Sequence, residues 1–199
     1  MDPSLDATAQ VLQKLLLYAF LPVWVLAGFG DWLMHRWQRI EHSAGWRESA
    51  LHLLMVAEMG VAVGAVLLFE MTATMFVLLL LACLLHEFTV WTDLNYAAAR
   101  RRIPVPEQWV HSIQIVLPWA GLGILAVIHR GQAAAAIGLG DVPADWSITL
   151  KEPPLPIAEV TIAVGAALLL VVVPFVLELI RCLRSARTQH SRPPDSDMR

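Results

Sequence analysis

Charge is scarce in this chain. Asp, Glu, Lys and Arg make up 16% of the 199 residues, while apolar residues make up 57%. Water-soluble domains hold about 25% charged residues, so a soluble enzyme and a disordered chain are both excluded. Cysteine is almost missing: Cys83 and Cys182 each fall in or beside a long apolar run, which leaves no disulfide framework. There is no basic surplus either. A net charge of −3 gives nothing for nucleic acid to bind. Period-two alternation is lacking, which argues against a β-barrel. No flavin or nucleotide motif is visible.

What the chain does have is five long apolar runs. They extend from about Leu12 to Met34, Leu51 to Phe69, Ala73 to Thr92, Trp109 to Ile128 and Ile157 to Ile180. At 1.5 Å per residue, each is long enough to cross roughly 30 Å of hydrocarbon. Backbone in lipid must satisfy its own hydrogen bonds, so these runs predict helices. The expected fold is an all-α, polytopic membrane bundle over residues 1–187, with spans one to four forming a core. Residues 188–199, polar and holding Pro193 and Pro194, read as a disordered tail. Residues 131–156, with three glycines and four prolines, read as a loop or re-entrant piece.

Eleven of the fourteen basic residues lie between spans one and two, between spans three and four, or after span five. The positive-inside rule then places the N-terminus outside and the C-terminus in the cytoplasm, as in a bacterial inner membrane. Span one lacks a basic n-region and a small-residue cleavage site, so it reads as a retained span. Trp32, Trp37, Trp46 and Trp109 form an aromatic belt at the inner boundary. Pro118 and Pro174 predict kinks in spans four and five.

Against this background the polar residues of the spans stand out. Span one ends with Asp31 and His35; span two begins with Glu48 and His52, and span four with Glu107 and His111. Span three holds His86 and Asp93. A spacing of four turns about 40° around a helix and a spacing of seven about 20°, so each pair shares one face. With the spans alternating in direction, all four pairs are expected in the cytoplasmic half at a common depth. An isolated pair of this kind reads as a weak, solvated ion pair. Four of them on successive membrane helices point to convergence, because an ionisable residue in lipid faces the bundle interior.

Metal ions would balance such a cluster. Imidazole and carboxylate ligands without thiolate suit iron, manganese or zinc. Eight side chains exceed one tetrahedral site, so two divalent transition-metal ions are expected, iron before zinc or manganese. Glu58, deeper in span two and turned away from His52, and Glu87, next to His86, are the candidate proton-transfer groups. Ser112 and Gln114 could orient ligands. Glu41 and His42 read as solvated loop residues, although a longer first helix would return His42 to the face of His35. Arg100, Arg101 and Arg102 read as topology determinants.

The ligand set and the bundle resemble the plan of non-haem diiron carboxylate proteins, including membrane oxidases and hydroxylases. The resemblance covers spans one to four. It implies a diiron oxidoreductase acting on a hydrophobic, lipid-like substrate, with electrons from an external donor and membrane lipid as its surroundings. The spacing differs: those bundles carry Glu-x-x-His, whereas the pairs here are four apart. The alternatives are a zinc-dependent hydrolase on the same ligands and a metal or proton transporter or sensor. The almost wholly apolar outer halves of the spans count against transport. A haem site on two histidines would leave the carboxylates unexplained.

Overall fold

A computed structural model describes residues 3–190. Five of its helical stretches are long and apolar enough to cross a membrane: Ala7–Gln38, Trp46–Leu68, Ala73–Ala98, Val105–Ile128 and Ile157–Gln189. In detail the chain forms α1 (Pro3–Leu15), a π turn (Leu16–Phe20), α2 (Leu21–Gln38) and a short 3-10 turn (Ile40–His42). Next come α3 (Trp46–Leu68), α4 (Ala73–Ala98), α5 (Val105–Ile128) and the short α6 (Arg130–Ala136). Last come α7 (Ile157–Ala167), a second π turn (Leu168–Val172) and α8 (Val173–His190). This is an all-α membrane bundle.

The helices outrun the apolar stretches that announce them. α3 begins at Trp46, α5 at Val105, and α4 continues to Ala98, so the His-carboxylate pairs lie inside regular helix. Residues 188–190 continue α8, which corrects the expectation of disorder there: no glycine or proline stops the helix before Pro193. The rest of the expected tail, 191–199, lies outside the described residues.

Both π turns end two residues before a proline, at Pro22 and Pro174. Proline lacks an N–H and its ring presses on the carbonyl one turn back; a widened turn accommodates both. Pro118 sits inside α5 with no such widening. Gly28 allows α2 to meet the second π turn closely, since a Cβ there would lie 3.1 Å from Val171.

At one end of the bundle α6 and the following loop cover the α3–α4 turn. The 131–156 segment makes an isolated antiparallel bridge there, Phe69 with Leu150. The Thr72 hydroxyl donates to the Ser147 carbonyl, and the Lys151 amine to that of Val66. At the other end lie the arginine-rich connections and the candidate site. Leucine, valine, phenylalanine and tryptophan side chains such as Val61, Leu81, Phe88 and Trp109 cover the outside, as lipid-facing surfaces require. Trp37, Trp46 and Trp109 are exposed near the arginine-rich end.

Candidate metal centre

Local backbone geometry sets the first four candidate residues. α2 stops at Gln38 because Arg39 turns left-handed (φ 52°), and the Arg39 N–H closes on the His35 carbonyl. Gly45, at φ 74°, opens α3; a side chain there would be strained. The short connection folds α3 back so that Glu48 and His52 face Asp31 and His35. His42 is left exposed on the 3-10 turn, as a solvated residue.

Asp31, His35, Glu48, His52, Glu107 and His111 come together, and all six are buried. His35 Nε2 lies 3.7 Å from Asp31, 3.6 Å from Glu48 and 3.7 Å from Glu107. Asp31 reaches further: its Oδ2 is 3.1 Å from His52 Nε2 and its Oδ1 is 3.1 Å from His111 Nε2. Three overlapping triads can each hold a metal ion: Asp31, His35 and His52; Asp31, Glu107 and His111; His35, Glu48 and Glu107. Each shares at least one residue with another.

The imidazoles are oriented from behind. His52 Nδ1 lies 3.0 Å from the Glu48 carbonyl, which can only accept, so Nδ1 carries the proton. His35 Nδ1 meets Glu178 Oε1 at 3.2 Å. In both rings the inward atom is then Nε2, with a lone pair available when the ring is neutral. His35 Nε2 is buried without a hydrogen-bond partner among the described residues, its nearest carboxylate oxygen 3.6 Å away, while His52 Nε2 and Asp31 Oδ2 face each other at 3.1 Å. Unsatisfied buried polar atoms are rare and call for a ligand. The donor set therefore fits a metal.

Charge points the same way. Asp31, Glu48, Asp93, Glu107 and Glu178 are all buried. Two guanidinium groups answer them: Arg101, bound to Glu48 and Glu107, and Arg181, 3.9 Å from Glu178. Burial works against the Arg101 charge, yet hydrogen bonds to Glu107 and Glu48 raise its pKa above the ordinary value. The remaining excess of negative charge is expensive in a low-dielectric interior unless imidazolium groups of the paired histidines or metal ions offset it.

Three of the four expected pairs converge; the fourth divides. Asp93 joins the cluster, 3.5 Å from His52 Nδ1. His86 does not: it pairs with Glu58 at 3.5 Å, and the Thr89 hydroxyl donates to Glu58 at 2.7 Å. A spacing of seven keeps two residues on one face but separates them by roughly 10 Å along the axis. Sharing a face is not sharing a level. Glu87 faces away, accepting from the Trp119 indole at 3.2 Å. Ser112 is exposed and bonds back to Gln108, whereas Gln114 lines the cavity described below.

Four participants were not anticipated as part of the site. Glu178 and Phe175 bring α8 into a core expected from spans one to four; Phe175 stacks on the His52 ring at 5.3 Å. Arg101 is a site residue as well as part of a basic turn, and its Nη1 also reaches Gln38, which donates to Glu107. A carboxylate near the end of a membrane span was the available signal for Glu178.

Beside this cluster lies a cavity of about 320 Å³ between α2, α3, α4, α5 and α7–α8, lined mostly by apolar side chains, with His52, Asp93 and His111 in its wall. No protein-family model matches this chain, and no curated protein or solved structure matches it.

Proposed function

We propose that this protein is a metal-dependent membrane enzyme with a dinuclear His/carboxylate centre, acting as a diiron oxidoreductase on a hydrophobic substrate. The observation that carries the reading is the set of three overlapping triads, two of them through Asp31, with His35 Nε2 buried and without a hydrogen-bond partner among the described residues. Asp31, His35, Glu48, His52, Glu107 and His111 would hold the ions, and Asp93 would orient His52. Oxygen-rich ligands with imidazole and no thiolate favour iron over copper. When bound, the ions supply oxygen activation and Lewis acidity.

The chain's own part is positional. The apolar cavity excludes water and leads a substrate to His52 and His111, while Glu178 holds the His35 ring and Arg101 holds Glu48 and Glu107. Electrons would come from a donor protein on the arginine-rich side, which the positive-inside rule assigns to the cytoplasm.

Metal analysis with ultraviolet-visible spectra tests the proposal. Gently purified protein is expected to hold about two iron ions per chain, consistent with the overlapping triads. A His52→Ala/His111→Ala variant should keep its helical circular dichroism and lose most of the metal. Protein free of transition metal, or a double variant with undiminished metal, overturns the centre. Colourless protein with stoichiometric zinc would replace the oxidoreductase by a hydrolase on the same ligands.

A further inference from the structure

His86 and Glu58 form a second polar site within the bundle. His86 is 6% exposed, yet its Nε2 has no hydrogen-bond partner among the described residues, and the ring lines the same cavity as His52 and His111. Only two metal-ligating side chains meet here, and one Glu58 oxygen already accepts from Thr89, so a metal ion is poorly served. A buried, unpartnered ring atom in a cavity wall instead suits a ligand's hydrogen-bonding group.

The cavity determines where that group lies. His86 precedes Asp93 by seven residues on α4, and Glu58 follows His52 by six on α3, which puts the second site roughly 10 Å deeper than the first. Between the levels the walls are apolar, with Met55 and Val56 on α3 and Val90 on α4. Gly60 and Gly64 keep the lower part open: a Cβ at either would meet nothing within 4 Å. Val164 and Leu168 line the cavity and are also exposed, at 44% and 48%.

We infer that the cavity takes a single-chain amphiphile whose polar end lies at His52 and His111 and whose chain carries a hydroxyl, roughly 10 Å further along, bound by His86 and backed by Glu58. The inference rests on the proposed enzyme reading and names its substrate class. Orientation follows from depth. The metal centre is at the arginine-rich end, where lipid polar groups reside, and the cavity runs from it towards the membrane middle. A hydroxyl is selected because it both donates and accepts, and so satisfies Nε2 in either protonation state of the ring. An unsubstituted chain would leave that atom unpaired.

The test is equilibrium binding of tritiated hexadecanol and of its mid-chain diol to protein in phospholipid nanodiscs, corrected with empty nanodiscs. Wild type should bind the diol at least about tenfold more tightly, the ratio that a net hydrogen bond of about 1.4 kcal/mol produces. His86→Leu should abolish the preference. His86→Gln, which keeps a donor and an acceptor, should retain part of it, and serves if the leucine variant does not fold. Gly60→Leu should weaken both ligands about tenfold by filling the cavity. Equal binding of the two ligands by wild type, an undiminished preference in His86→Leu, or undiminished binding in Gly60→Leu overturns the inference. Metal content measured on the same samples separates the two readings. Metal without diol preference removes this inference alone, and diol preference without metal removes the dinuclear centre alone.

Discussion

The α3–α4 pair is held together in opposite ways at its two ends. Away from the metal centre, Met71, Met75, Phe76 and Leu79 pack with Ala62, Ala65 and Val66 of α3, and with Leu122, Leu125 and Ala126 of α5. Near the centre, the same helices bury Glu48, His52 and Asp93, and α5 adds Glu107 and His111. The first end is dispersion packing of the kind that drives helix association in lipid. The second concentrates carboxylates where desolvation opposes them. A bundle optimised only for stability would resemble its first end throughout, and the polar end carries the cost that the proposed metal binding would offset.

If the two ends do separate jobs, substitutions should divide cleanly between stability and metal. Phe76→Ala is the largest expected effect. It empties a tightly packed position at the apolar end and should lower unfolding free energy by about 3 kcal/mol, the low side of aromatic-to-alanine losses. Lipid is nearly as apolar as the cluster, which shrinks the transfer part and leaves the cavity part. Thermal unfolding in detergent should register the loss, while metal per folded chain stays at the wild-type value. A proportional fall in metal would show that the ends are not independent.

Glu178→Gln should do the reverse. The amide can still sit beside His35 Nδ1, 3.2 Å away in the native side chain, but it no longer supplies a negative charge behind the imidazole. Loss of such a supporting partner lowers metal affinity by about 10–100-fold. Chelator competition should show that shift with near-native unfolding of the metal-free protein. Unchanged affinity would make the α8 contact purely structural.

The same comparison explains what could be read from residues alone. The apolar end is ordinary membrane helix, and run length with arginine placement was enough to locate its spans. Asp31 with His35, Glu48 with His52, and Glu107 with His111 were legible because a spacing of four fixes both face and depth within about 6 Å of helix. His86 with Asp93 was not, because a spacing of seven fixes the face while the depth differs by a turn and more. Arg101 reads only as a topology determinant because basic turns set topology in any membrane protein; the fold back from α4 to α5 brings it onto Glu48 and Glu107. Glu178 depended on α8 packing against α2 and α3, and helix neighbours are not written in any one span's pattern.

Thr72 gives the smallest expected effect and the finest test of separation. Its hydroxyl caps α4, accepting from the Met75 N–H at 3.4 Å, and donates to the Ser147 carbonyl at 2.9 Å. It thereby ties the loop after α6 to the start of the helix whose other end carries Asp93. Alanine would leave both groups unanswered and should lower stability by about 1 kcal/mol, the usual cost of losing a cap. Serine should restore most of that, since it keeps the oxygen. Differential scanning of the three proteins measures the step, and chelator competition on each reads the far end. Metal affinity is expected to be equal in all three, because α4 is continuous from Ala73 to Ala98 and its later turns are fixed by His52 and its neighbours. Weaker metal binding in the alanine protein that serine repairs would mean that the cap sets the register of α4 over its whole length, and that the two ends share one cooperative helix.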